Sequence, residues 1–277
     1  MRNKKVFDMV IMSSFIALIL ILSLIPSIGY IHIGVTSLTI IHIPVLVGLV
    51  MLGLKQGLIL GLTFGLSSML VAFMRPSGPF DYAFQNPLVS VLPRVLFIFV
   101  AYLIMICFKK INIIKNGKWV ILAIVSAISF SALIFGADIV SQMASTISEG
   151  EGETAITFIS WDKYHQIYPW ILTLAIVLAL LFIGFYLFLV LKSKEKNVLI
   201  PSVFIIGTIA HTFLVLACVG IFNPDLLGNQ ENFSSVMSLL YSIAFTNGLA
   251  EAIAALIIGT PICLAVKNVL VQIKGEK

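Results

Sequence analysis

Charged residues are scarce. Asp, Glu, Lys and Arg make up 10% of the 277 residues against 60% hydrophobic, where a soluble globule carries about 25% charged residues. That balance excludes a protein with a water-facing surface all round. Cysteine is rare too: Cys107, Cys218 and Cys263 sit far apart in apolar stretches with no CxxC spacing. This excludes a disulfide framework or zinc ribbon, and the three read as reduced packing residues. No GxxxxGK[ST] loop occurs, so the chain cannot hydrolyse ATP by the usual phosphate-cradling machinery. HExxH is absent, and His32, His42, His165 and His211 are scattered without metal-ligand spacing, so no cofactor is expected. The formal charge of +5 does not point to nucleic acid, because the basic residues fall in short loops between apolar runs.

What is present in abundance is hydrophobic length. Continuous apolar segments occur at about 8–28, 36–53, 57–74, 88–108, 119–140, 169–191, 200–222 and 238–266. Their continuity, without alternation, favours helices over a barrel, because a helix satisfies its own backbone polar groups in lipid. The fold class expected is all-α and polytopic, a single transmembrane domain over 1–277 with about eight spans. Loop charges alternate. Arg2, Lys4 and Lys5, then Lys55, KKINIIKNGK, the lysines at 192, 194 and 196, and Lys267, Lys274 and Lys277 fall on one side. By the positive-inside rule that side is the cytoplasm of a bacterial cell membrane, with both termini there. The N-terminal run is longer than a signal peptide and lacks an A-x-A site, so it reads as a retained helix. The external loops are RPSGPFDYAFQNP, SEGEGET with its sequel WDKYHQIYPW, and NPDLLGNQENFSS, where Arg75 and Lys163 alone oppose the rule. Trp161, Tyr164, Tyr168 and Trp170 suit an outer aromatic belt, and Asp138 reads as solvated near the outer end of its span.

Polar residues inside these runs are the candidates for function. In FQNPLVSVLPR, Asn86 suits an N-cap and Pro87 the first helical position, which predicts one helix from there through Phe108. Asn86, Ser90 and Arg94 would then share a face at intervals of four. A guanidinium cannot shed its proton, so in a membrane it faces a cavity, a partner or an anionic ligand, or else snorkels to the interface. Asn247 and Glu251 lie four apart in the last apolar run, and His211 precedes Thr212 in the run before it. Glu251 is a functional residue by default, the alternative being a neutral, hydrogen-bonded side chain that stitches helices together. Asp81 and Gln85, with Tyr82 and Arg75, are rim or lid contacts. Gly57, Gly61 and Gly65 recur every fourth position and predict close helix approach, and Ser13 and Ala17 form a weaker small-residue pair.

Several stretches together carry a resemblance: IPSIGYIHIG, TIIHIPVLVGLVMLGLKQGLILGLTFGLSSML, FQNPLVSVLPR, GTIAHTFLVLACVGIF and TNGLAEAIAALIIGTPICLAVK. The chain resembles the substrate-binding S components of energy-coupling factor (ECF) vitamin transporters, most closely the pantothenate-type branch. The resemblance implies a six-helix fold that binds a vitamin or precursor from outside. It implies delivery by toppling against a transmembrane coupling protein driven by two cytosolic ATPases. Ser13 and Ala17 would occupy the helix-one docking motif, with serine replacing one alanine. The spans within 112–199 then read as an inserted pair with an acidic external loop. Where pantothenate-type members tend to carry asparagine before threonine, this chain has His211 before Thr212. The substrate-binding set is Arg94, Asn86, Ser90, Asn247, Glu251, His211, Asp81 and Gln85, with Arg94 taking a carboxylate such as that of pantothenate. Two rivals stand beside this. One is a self-contained secondary transporter with Glu251 as proton carrier. The other is an intramembrane enzyme using Glu251 and His211 as acid and base, against which the missing nucleophile and metal motifs count.

Overall fold

A computed structural model describes residues 4–25, 28–33, 36–76, 79–149, 156–192, 198–223, 248 and 250–274. Helices dominate them. Six are long and apolar enough to cross a membrane: Leu54–Met74, Pro87–Ile113, Gly117–Gln142, Trp161–Leu191, Leu199–Phe222 and Ala250–Val269. Two shorter apolar helices, Asp8–Leu24 and His42–Leu52, precede them. The chain is therefore an all-α, multi-pass membrane protein, and these eight segments follow the order expected of the apolar runs.

The first departure lies at the second run. After α1 (Lys4–Leu24) the chain forms an antiparallel ribbon of β1 (Tyr30–Ile33) and β2 (Thr36–Thr39), with Tyr30 opposite Thr39 and Ile33 opposite Thr36. Helix α2 starts only at His42 and ends at Leu52, so its 11 residues rise about 16 Å, half the hydrocarbon thickness. Pro44 explains the late start. In the first turn its missing N–H costs nothing, whereas a helix begun at residue 36 would lose a bond there. The span expected over 36–53 is thus part ribbon, part helix.

Gly53, at φ +89°, makes the one-residue turn into α3 (Leu54–Met74), in a conformation that L side chains rarely adopt. The glycine stripe of α3 packs as expected. A methyl group at Gly61 would stand 2.8 Å from the Arg94 carbonyl oxygen, and one at Gly65 would stand 2.7 Å from Val91 Cα. The short helix α4 (Pro79–Ala83) leads into α5 (Pro87–Ser90) and α6 (Leu92–Ile113). The helix expected to run unbroken from Asn86 is interrupted at Val91. Pro93 is the cause: it has no N–H for the Val89 carbonyl four residues back.

Helices α7 (Gly117–Ala144) and α8 (Trp161–Lys192) pack along each other and are joined by a second ribbon, β3 (Thr146–Glu149) with β4 (Ile156–Ile159). No strand was expected at either ribbon. Asp138, expected to be solvated, instead accepts hydrogen bonds from Tyr164 Oη at 2.6 Å and Gln142 Nε2 at 2.9 Å. Helix α9 (Leu199–Phe222) follows. The last span includes a π-helical turn at Ala255–Gly259 before α10 (Thr260–Lys274). There a methyl group on Gly259 would overlap the Phe204 ring of α9 at 2.3 Å.

One apolar core, with Leu46, Leu49, Leu60, Phe64, Phe97 and Phe204, lies among α2, α3, α6 and α9. A second, around Ile121, Val125, Phe182 and Tyr186, seats α7 and α8 against α6 and α9. There Tyr186 Oη and Ser202 Oγ share a hydrogen bond of 2.7 Å. Cys218 and Cys263 are buried, as packing residues should be, but Cys107 is exposed on the outer surface of α6.

Candidate functional site

The broken helix places the arginine. Pro93 leaves the Val89 carbonyl without its helical donor, and Arg94 Nη1 donates to that oxygen at 2.6 Å. The guanidinium is thereby folded back into the interior, where Arg94 is 4% exposed. Its Cζ lies 4.8 Å from the centre of the Phe84 ring and 5.5 Å from that of Phe64, geometry that favours a cation over the ring faces. Nε has no hydrogen-bond partner among the described residues. Tyr30, Glu251 and Cys218 lie within electrostatic reach. Burial raises the Tyr30 phenol above its ordinary value, so it stays neutral beside the cation.

Glu251, 4% exposed, is held by two donors. Thr39 N–H at the end of the first ribbon donates to Oε1 at 2.8 Å, and Thr212 Oγ1 donates to Oε2 at 2.8 Å. The carboxylate therefore ties the ribbon, α9 and the last span together. Directly before Thr212, His211 is buried against Phe64 and Phe97, with ring centroids 5.6 and 4.8 Å away, and stacks on His42 at 5.5 Å and 17°. Phe64 thus touches both the guanidinium and the imidazole, and Arg94, His211, Thr212 and Glu251 form one buried cluster.

The remaining predicted residues surround or leave this cluster. Ser90 is buried, but its hydroxyl donates to the Gly65 carbonyl at 3.1 Å. Asn86 caps α5 by accepting from Leu88 N–H at 3.0 Å. Asn86, Ser90 and Arg94 thus serve three different partners. Gln85 Nε2 donates to the Ala72 carbonyl at 3.1 Å, fixing the turn that carries Phe84, and Asp81 is half-buried in α4. Asn247 lies outside the described residues. Ser13 and Ala17 are exposed on α1, away from the cluster, with Ser13 Oγ bonded to the Met9 carbonyl at 2.9 Å.

Sequence reasoning missed the ribbon that supplies Thr39, the partnership of His42 with His211, and the roles of Phe64, Phe84 and Phe97. A signal existed for the first: β-branched residues on both sides of Gly34 fit a short hairpin. For His42 the signal was its place directly before Ile-Pro at the head of a wholly apolar helix. Among the described residues, no three His, Cys, Asp or Glu side chains converge as a metal-ligand set.

Residues 7–146 match the family described as "ECF transporter, substrate-specific component". The chain is also similar to the pantothenate transporter PanT of Leuconostoc mesenteroides subsp. mesenteroides, with 35% identity over 100 residues. That alignment takes in 35% of this chain and 49% of PanT, so it spans about half the relative's length.

Proposed function

The chain belongs to the substrate-specific component family of ECF transporters, and on that premise we propose that it captures pantothenate, or a similar small carboxylate, from outside the cell for an ATP-driven importer. The family is a transporter component and not an enzyme family. In the proposed complex this chain binds, and the energy comes from two cytosolic ATPases acting through a transmembrane coupling protein. The exposed Ser13 and Ala17 of α1 are the proposed docking surface, and both termini face the cytoplasm. The α7–α8 pair is proposed as an addition to a six-helix plan.

The observation that carries this reading is the Arg94 guanidinium. It is buried within a membrane protein, covered by two phenyl rings, and keeps an Nε–H unpartnered among the described residues. A desolvated cation with donors in reserve is suited to a ligand carboxylate, and charge-assisted bonds of that kind are strong. Similarity to a protein named as a pantothenate transporter supports the ligand class.

The test is equilibrium binding of labelled pantothenate to the purified chain, followed by uptake into vesicles with and without the ATPase module. Binding by the parent and at least a tenfold loss in Arg94→Lys are expected, with uptake dependent on ATP. Uptake driven by a pH gradient in vesicles holding this chain alone would replace the proposal with a proton-coupled transporter.

A further inference from the structure

His42 stacks on His211 from the head of α2 and is fully buried, at 0% exposure. The Thr39 backbone lies beside its ring and can take one ring N–H, which leaves the other nitrogen without a hydrogen-bond partner among the described residues. Its ring lies nearly parallel to that of His211, whose Nδ1 is unpartnered in the same sense. Thr208 Oγ1, on the face of α9 that carries His211, is a further buried hydroxyl oxygen without a described partner. Buried polar atoms normally find partners, because leaving them bare forfeits their hydration. A cluster of orphans in one place marks a surface that expects a polar guest.

The chemistry of the cluster selects that guest. A neutral imidazole offers one N–H and one bare nitrogen, so two stacked rings present both donors and acceptors. A carboxylate can only accept, and the bare nitrogens would face its lone pairs. A hydroxyl does both: it accepts from an N–H and donates to a bare nitrogen. Phe64 lies between this cluster and Arg94, touching both. One elongated molecule could therefore reach the guanidinium with an anionic end and the imidazoles with its other end.

We infer that His42, paired with His211, is a specificity contact for a ligand hydroxyl, so that the chain selects hydroxylated carboxylates over the same skeletons without hydroxyls. The inference rests on the binding role proposed above and adds the residue that sets the preference. A site built to bond a hydroxyl discriminates against an analogue lacking it, because its own polar groups are then left unpaired.

The test titrates pantothenate, and dideoxy-pantothenate with both hydroxyls replaced by hydrogen, into the purified chain freed of co-purified ligand. Parent, His42→Phe and His42→Gln are compared. Phe keeps a ring to stack on His211 but removes both nitrogens; Gln keeps a donor and an acceptor. The parent is expected to prefer pantothenate by about tenfold or more, the size of one net hydrogen bond. His42→Phe should bind the dideoxy analogue as the parent does while losing the preference, and His42→Gln should keep most of it. A preference unchanged in His42→Phe overturns the inference and leaves the carboxylate-binding role intact. If the parent binds neither compound, the proposed function fails and this inference with it. If His42→Phe binds neither while His42→Gln matches the parent with both, the ring nitrogens act on folding and the inference is overturned.

Discussion

Arg94 has been given two duties, one to the fold and one to a ligand, and a double-mutant cycle with Pro93 separates them. In the parent, the Val89 carbonyl lacks its helical donor because residue 93 is proline, and Arg94 Nη1 supplies the hydrogen bond. Val89 is fully buried, so water cannot substitute. Arg94→Ala removes the donor and orphans the oxygen, a cost of about 1–3 kcal/mol. The same change also removes a buried cation, whose desolvation penalty works in the opposite direction. The sign of the single variant is therefore set by two large opposing effects and tests little. Pro93→Ala restores a backbone N–H four residues after Val89. In the Arg94→Ala background that N–H rescues an orphaned carbonyl; with Arg94 present the carbonyl is already satisfied and the gain is smaller. Pro93→Ala should therefore stabilise the Arg94→Ala protein more than the parent, by about 1–2 kcal/mol, because the cation's desolvation cancels in the difference. Equilibrium unfolding in mixed detergent micelles, followed by tryptophan fluorescence, reads the four proteins. Additivity within about 0.3 kcal/mol would refute the idea that the arginine closes the gap left by the proline. Pantothenate binding should be lost in both Arg94→Ala proteins, including the stabilised double variant.

Three further outcomes follow from the packing and the hydrogen bonds. Glu251→Ala leaves Thr39 N–H without its acceptor, while Thr212 Oγ1 can turn to the Thr208 carbonyl at 3.2 Å, and should cost about 1–3 kcal/mol, whereas Glu251→Gln keeps an acceptor for Thr39 and should cost less than the alanine variant; equal losses in unfolding experiments would mean that the carboxylate does not tie the ribbon to the helices. Gly61→Ala drives a methyl group to 2.8 Å from the Arg94 carbonyl and should destabilise by about 1–3 kcal/mol, while Gly184→Ala, with nothing within 4 Å, should be neutral or slightly stabilising; the reverse order in thermal melting would contradict the α3–α6 packing. Bulky side chains on the exposed α1 pair, Ser13→Leu with Ala17→Leu, should leave pantothenate binding intact and abolish ATP-driven uptake in vesicles; full uptake would place the docking surface elsewhere.

Much of the architecture was legible because lipid imposes it. Runs of apolar residues long enough to span follow from the cost of exposing backbone polar groups in hydrocarbon. The glycine stripe at 57, 61 and 65 was readable for a similar reason: close backbone approach demands small residues wherever it occurs, and the spacing alone names the face. The burial of Arg94 and Glu251 was anticipated from their positions within apolar runs.

The errors share a physical origin in proline and in the competition for backbone partners. The predicted helix from Asn86 treated Pro87 as a starting signal and passed over Pro93, although the second proline withdraws a donor in mid-helix. Reading the first and not the second produced the continuous edge of Asn86, Ser90 and Arg94. In the structure the three side chains serve separate partners, and Arg94 is held at the carbonyl that Pro93 leaves open. Pro44 acts in the same way on the second apolar run, confining α2 to residues after Ile41 and leaving 36–39 to pair with 30–33. That pairing is local, but its consequence is not: Thr39 N–H meets Glu251 across 212 positions of sequence. Hydropathy sees how apolar a run is but not which backbone groups remain unpaired within it. The prolines were therefore the stronger local evidence about the site. Pro93 frees a backbone carbonyl that the fold must answer from elsewhere, and the answer is Arg94 at Val89; the Thr39 N–H, left at the end of the ribbon, is answered by Glu251.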